Sequence, residues 1–440
     1  MNTSSKWLLS ALLTVSIQSQ AKDFLVRFHN VDNVKSLAAY GATVPVVDSL
    51  GIYKLEPFAP LETDSLLKSL KADPQIKWAQ EDHPVSMRST LPNDPSFASQ
   101  WSLDNDSDTD INAPEAWDFG SGGKDGNGSD IVIAIVDGGV DASHQSLALN
   151  MWVNDGEIEG NGVDDDGNGY VDDYAGWNAY NNNGNVYGSR HGTHVAGIAA
   201  ARGDDGLQVT GVNWDAKIMN IQGSSGTTST VLSAYGYVLK QKQIWLESAG
   251  ERGANVVVTN SSFGVDYANC ENGSYPAWND IYNEMGAVGI LSAAATINNG
   301  INVDVRGDVP TGCSSPYIIA VTNTTRQGVK FDRAGFGSKN IDLGAPGTGI
   351  LSTLPNNMEG SLTGTSMATP HVAGAVGFLH SIAPGNFLDH YESNPGEAVL
   401  ELKQVLLDSV TPQNDLRDIT VSGGRLNLHA ATVKMIEDYR

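Results

Sequence analysis

Two textures of apolar residues divide this chain. From Asp23 to about residue 80, short runs alternate between apolar and polar positions, as half-buried strands do, and helically spaced stretches separate them. The pattern predicts a strand over Phe24–Phe28, a helix over Val34–Ala39, two short strands within Thr43–Leu55, a helix over Leu61–Lys71 and a strand over Ile76–Ala79. That order describes a small α+β, ferredoxin-like unit whose core is limited by its size. The loop from Pro84 to Asp94, with its Pro, Ser, Thr and Asn, reads as a cleavable linker.

Beyond the linker the apolar residues gather into continuous runs: Ile131–Val136, Ala216–Ile221, Asn255–Thr259, Val288–Ala295 and Tyr317–Val321. A strand covered by helices on both faces has no solvent side, so such runs fit the interior of a parallel sheet. Helical stretches at Thr230–Ser248 and Ala277–Met285 stand between them. Residues 89–440 are therefore expected to form an α/β, doubly wound domain with a mostly parallel sheet and its site outside the carboxyl ends of the strands.

Composition changes the picture in three respects. With 51 acidic against 26 basic residues the formal charge is -25, which argues against nucleic acid or an anionic membrane as partner and suits a protein that binds cations. Lys6, the apolar run Trp7 to Ile17 and then Ser19-Gln20-Ala21 form the three parts of a secretory signal, expected to be removed after Ala21. The run is too short to span a bilayer and no later one reaches that length, so an extracellular protein without a membrane anchor is expected. Cys270 and Cys313 are the two cysteines of the chain; in an oxidising compartment they form either one disulfide or two free thiols.

Three blocks carry candidate chemistry. Asp137 directly follows the run Ile131–Val136, at the rim where such a sheet places its site. His191-Gly192-Thr193-His194-Val195-Ala196-Gly197 opens a helix of small residues, and Gly364-Thr365-Ser366-Met367-Ala368-Thr369-Pro370-His371-Val372-Ala373-Gly374 opens another. A serine hydroxyl is a poor nucleophile until an imidazole accepts its proton, and the imidazole needs a carboxylate to fix its tautomer. A helix starting at Ser366 adds N–H groups and a positive dipole end where an oxyanion forms. Each residue alone has an ordinary structural reading; the joint occurrence points to a nucleophilic triad.

A separate stretch, Asp164-Asp165-Asp166-Gly167-Asn168-Gly169-Tyr170-Val171-Asp172-Asp173, sets oxygen donors at every second position around a glycine-permitted turn. This is the spacing with which a loop wraps calcium, using Asp164, Asp166, Asn168, the Tyr170 carbonyl and Asp172. Ala175 stands where a further acid is usual, so either Asp173 substitutes or the site stays more open. Calcium is the expected structural cofactor.

The segment Ile135-Val136-Asp137-Gly138-Gly139-Val140-Asp141 and the His191 and Ser366 blocks resemble the catalytic motifs of the subtilisin-like serine proteases, the subtilase family. The resemblance covers nearly the whole chain after the export signal. It implies hydrolysis of protein or peptide substrates through an acyl-enzyme by Asp137, His191 and Ser366, in a monomer. It also implies an oxyanion-hole asparagine within Ala294–Gly300: Asn298 if Gly300-Ile301-Asn302-Val303-Asp304 sets the register, with Asn299 as the alternative. Two departures stand out, Ile297 in place of a usual Gly and Gly138 in place of a common Ser or Thr. Ser262, Phe263 and Gly264 on one side and Ser225 and Gly226 on the other resemble the edges between which an extended substrate pairs, a mode that reads backbone more than side chains. Asp308 falls near the expected specificity pocket and raises a basic-residue preference against that broad default. The small unit, residues 22–88, resembles the family's propeptide, an intramolecular inhibitor and folding aid, with self-cleavage expected between Val85 and Leu91. The same resemblance pairs Cys270 with Cys313, bracing the pocket. The rival readings are a zinc hydrolase built on His191, His194 and His371, which lacks the glutamate of that motif, and a non-catalytic binding protein.

Overall fold

The computed structural model describes residues 23–58, 63–83 and 90–440. The expected export signal, the residues around Leu61 and most of the expected cleavage segment lie outside the described residues. Between residues 88 and 89 the chain divides into two compact units.

In the small unit Phe24–Phe28 is a strand with alternate residues buried, Phe24, Val26 and Phe28 facing inward. It pairs antiparallel with Ile52–Pro57 on one side and Ile76–Glu81 on the other, and Gly41–Val47 extends the sheet beyond Ile52–Pro57. The helix expected near Val34 is a 3-10 helix, Val31–Ala39. Thr63–Ala72 is an α-helix that buries Leu66 and Leu70, four residues and so one turn apart, on Leu37, Leu55 and the strand residues.

The large unit is built on a nine-stranded sheet in the order Thr411–Pro412, Gly424–Arg425, Leu343–Pro346, Ile318–Thr324, Leu291–Ala295, Val256–Ser261, Val132–Asp137, Lys217–Gln222, Trp177–Asn178. Pairing is parallel throughout except at the Thr411–Pro412 edge. The run expected to begin at Val288 enters its strand only at Leu291, because Val288 caps the preceding helix Pro276–Ala287 and Gly289 turns the chain with φ of 87°.

Both faces of this sheet are covered. Ile133 and Ile135 join a core with Val372, Val376, Leu402 and Met435, while Val132, Ala134 and Val136 point the other way onto Val231, Ala234, Tyr235 and Val238. The helix Thr365–Ser381 crosses the first core; a Cβ on its Gly374 would come within 2.8 Å of the Ala199 carbonyl, so a residue without a side chain lets it lie against the helix Arg190–Ala200. Three helices not anticipated from the chain pattern, Gly385–Ser393, Pro395–Asp408 and Leu428–Asp438, close this side. Among the described residues no helix is long and apolar enough to cross a membrane.

Candidate active site

Asp137 is the last residue of its strand and is 2% exposed. Its Oδ1 accepts from the Gly138 N–H at 2.7 Å, and His191 Nδ1 lies 3.0 and 2.9 Å from the two carboxylate oxygens. Facing only a carboxylate, Nδ1 carries the ring proton and leaves Nε2 as the basic nitrogen. Burial works against a charged His191, but the hydrogen bond and charge of Asp137 outweigh it and raise the pKa above the ordinary histidine value.

His191 sits in the first turn of the helix Arg190–Ala200, capped by Ser189, whose Oγ accepts from the Gly192 N–H at 2.9 Å. The same Oγ would lie 3.0 Å from a Cβ at Gly138. Ser189 therefore occupies the space beside Asp137 where Gly138 brings no side chain.

Ser366 is the second residue of the helix Thr365–Ser381. Pro370, four residues on, has no N–H to return to the Ser366 carbonyl. That carbonyl accepts instead from Ser262 Oγ at 3.0 Å, and the Ser366 hydroxyl in turn donates to the Ser262 carbonyl at 3.3 Å. The proline thus couples the nucleophile candidate to the strand end for which the family resemblance implies substrate pairing.

Asn298 accepts through Oδ1 from the Thr365 N–H at 3.0 Å and the Thr365 hydroxyl at 3.2 Å. This fixes the amide so that Nδ2 remains as a donor. Asn298 and Ser366 line one cavity of about 180 Å³, together with Ser262, Phe263, Gly264 and Asp308. Asn299 points elsewhere, its amide donating to the Tyr267 hydroxyl at 2.8 Å. Ile297 is 5% exposed and packs in the core, and its N–H donates to Asp308 at 3.0 Å. Ser225 and Gly226 lie outside that cavity, in the turn before the helix Thr228–Glu247, where Ser225 Oγ meets the Tyr180 hydroxyl at 3.0 Å.

Cys270 and Cys313 are joined by a disulfide, which leaves no free cysteine. It ties together the two segments that also pair as the strands Val265–Asp266 and Asp308–Val309.

The acidic turn is arranged differently from its spacing. Asp164 and Asp166 offer oxygens that lie, with one from Glu157, within 4.8 Å of one another. Glu157 stands seven residues before the loop, and no local pattern marked it. It is 5% exposed; its Oε1 accepts from the Asp165 and Asp166 N–H groups, while Oε2 is buried without a partner. Asp173 turns inward instead, accepting from Asn154, Asn168, Tyr237 and Gln241. Asn168 spends its Oδ1 on the Tyr170 N–H, and Asp172 accepts from the Gly162 N–H.

The zinc reading finds no support in the other two histidines. His194 Nε2 contacts the Ile350 and Gly360 carbonyls, each at 3.0 Å, and His371 Nδ1 the Met367 carbonyl at 2.9 Å. Burial pushes both down to about 4, as in neutral rings held inside a core.

Fold and site together define an α/β protein with an Asp–His pair and a serine-headed helix at the carboxyl ends of a parallel sheet. Residues 128–423 match the model of the Subtilase family, and the chain belongs to that family. The extracellular protease of Xanthomonas campestris pv. campestris is 32% identical over 347 residues, 73% of this chain and 55% of that protein. Thermitase of Thermoactinomyces vulgaris is 32% identical over 297 residues, 66% of this chain and 85% of that one. Subtilisin-like protease 1 of Plasmodium vivax is 30% identical and matched over 46% of its length, so the chain spans about half the length of some curated relatives. Among solved structures a protease of Pseudoalteromonas arctica PAMC 21717 superposes with a TM-score of 0.56 at 26% identity, covering 78% of this chain and 99% of that one. The epidermin leader peptide processing serine protease of Staphylococcus aureus, with a TM-score of 0.54 at 18% identity over 94% and 98% of the two chains, shares the fold.

Proposed function

We propose that this chain is a secreted serine endopeptidase, made as a precursor and stabilised by calcium. The observation that carries the reading is the pairing of buried Asp137 with His191 Nδ1, beside a serine-headed helix whose Ser366 shares a cavity with a pre-oriented Asn298 amide. Membership of the Subtilase family supports it.

In this reading His191 Nε2 takes the proton from Ser366 Oγ as that oxygen attacks the scissile carbonyl. Asp137 keeps the ring in the required tautomer and steadies the imidazolium. The oxyanion is met by Asn298 Nδ2 and by the Ser366 N–H, since the Thr365 and Met367 N–H groups on either side are spent on Asn298 and Gly364. His191 then returns the proton to the leaving amine, and water repeats the cycle on the acyl-enzyme. An organophosphate tests this directly: it should label Ser366 and abolish peptide hydrolysis, and labelling elsewhere or not at all would refute the assignment.

Residues 1–21 serve as the export signal in this reading, which agrees with a relative named as an extracellular protease. Residues 22–88 act as a propeptide that inhibits until it is cut away. Mass spectrometry of exported protein should find a mature chain beginning near Pro92, and a chain that retains Phe24 would contradict this.

Calcium is held by Glu157, Asp164 and Asp166. The donors are all oxygen, as a hard cation requires, and the unpartnered Glu157 Oε2 carries a desolvation cost that a cation removes. The ion supplies structural stability at this turn.

A further inference from the structure

The cavity beside Ser366 carries more information than its position. Its lining includes two carboxylates, Asp266 and Asp308, and no basic side chain. The two residues are directly opposed across the strand pair Val265–Asp266 and Asp308–Val309, an arrangement that is repulsive when both are ionised. Asp308 is 1% exposed. Its Oδ2 accepts from the Thr296 hydroxyl at 2.9 Å, the Ile297 N–H at 3.0 Å and the Thr311 hydroxyl at 2.6 Å, whereas Oδ1 has no hydrogen-bond partner among the described residues. Burial, with the Asp266 charge adding to it, pushes Asp308 up to about 6.

The nearest basic residue in the chain does not relieve this. Arg306, two positions before Asp308, lies over the Tyr267 ring at 5.6 Å, and neither Asp266 nor Asp308 forms an ion pair among the described residues. A buried carboxylate with one oxygen unmatched, at the wall of a cavity that also holds the nucleophile, is a receptor for a cationic group on the substrate. Phe263, on the same lining, offers an apolar face for the aliphatic stem of such a side chain.

Resting on the assignment of Ser366 as nucleophile, we propose that this cavity selects substrates with Arg or Lys at the residue whose carbonyl is attacked, with Asp308 and Asp266 supplying the counter-charge. Asp266 has not been marked by any sequence motif; only its register opposite Asp308 brings it to the cavity.

The test compares kcat/KM of the processed enzyme on peptides that differ only at that residue, carrying Arg, Lys, Leu, Phe or Glu. Arg and Lys peptides should be favoured about 10- to 100-fold over Leu and Phe, with Glu poorest, the range expected of one charged contact in a partly buried pocket. Asp266→Asn, at an exposed position that spares folding, should lower the Arg-to-Leu ratio several-fold, and Asp308→Asn should lower it further and weaken competitive inhibition by benzamidine. Equal rates on Arg and Leu peptides would overturn the pocket while leaving the nucleophile in place. Failure to cleave any peptide, together with no organophosphate on Ser366, would overturn both.

Discussion

Asp137 and Glu157 are carboxylates of similar burial, 2% and 5% exposed, in very different surroundings. Asp137 has partners from its own chain on both oxygens, the Gly138 N–H and the His191 ring. Glu157 has two N–H partners on one oxygen, none on the other, and Asp164 and Asp166 as neighbours. The Asp137 carboxylate is fully partnered as folded, whereas the acidic turn leaves Glu157 Oε2 without a partner, the position that the proposed calcium would fill. A carboxylate that shapes an imidazole must be satisfied without a ligand, since it has to work before substrate arrives; one that holds a structural ion need not be.

The sharpest way to probe the first half of that comparison is removal of the proposed nucleophile. Ser366→Ala should cut kcat/KM about 10⁴-fold or more, the scale on which triad hydrolases lose activity. Its melting temperature should stay close to that of the parent, because the lost hydroxyl makes only the 3.3 Å contact to Ser262. Asn298→Ala should cost about 10²- to 10³-fold, mainly in kcat, because in the proposed mechanism the amide serves the oxyanion rather than the ground state. A comparable rise in KM with kcat preserved would reassign Asn298 to substrate binding.

The second half is tested by chelation, best done in the Ser366→Ala background so that self-digestion does not blur the result. With calcium at about 100 times its dissociation constant the proposed site would contribute about 2.7 kcal/mol, and its removal should lower the melting temperature by about 3–5 °C in a unit of this size. Glu157→Gln should remove most of that calcium response. An unchanged melting curve on chelation would break the contrast between the two regions.

Lys242 offers an intermediate case, a buried charge with partners but no counter-ion in contact. Fully buried, it donates to Asn255 Oδ1 at 2.6 Å and the Tyr391 hydroxyl at 2.9 Å, and burial pushes its pKa down to about 7. The unfolded chain keeps that proton to about pH 10.4, so between about pH 7 and 10 the unfolded state binds more protons and stability rises with pH. Lys242→Met should flatten this rise, by no more than a few kcal/mol, and should be at least as stable as the parent at pH 7. A parent whose stability falls over that window, or a variant with the same slope, would contradict the reading.

The smallest expected effect is at Gly138. A serine there meets Ser189 Oγ at a Cβ distance of 3.0 Å, which needs only a few tenths of an ångström of movement. Gly138→Ser should change kcat/KM by less than about tenfold, within the roughly 1.4 kcal/mol that a modest packing adjustment costs. A larger loss would show that the Ser189 cap positions His191.

Much of the architecture was readable along the chain. The strand ending in Asp137 and the helix starts at His191 and Ser366 are governed by apolar periodicity and by small residues that allow close packing, which are properties of contiguous sequence. The strand Leu291–Ala295 was read three residues too early because a turn at Gly289 interrupts an apolar run without changing its hydropathy. The helix Pro395–Asp408 carried a readable signal in Pro395 and the spacing of Ala398, Leu402 and Val405, although it was not among the expected elements.

What the chain pattern determined alone was therefore the class of fold, the three blocks that carry the candidate residues Asp137, His191 and Ser366, and the existence of an oxygen-rich turn, since each of these is written in contiguous sequence. Only the tertiary structure decided that Glu157 completes the acidic group, that Asp173 turns into the core, that Ser189 fills the space at Gly138 and that Asp266 stands opposite Asp308. Those relations depend on which polar atoms of remote segments meet and which are left over, and a hydrogen bond discriminates over fractions of an ångström that no sequence spacing specifies.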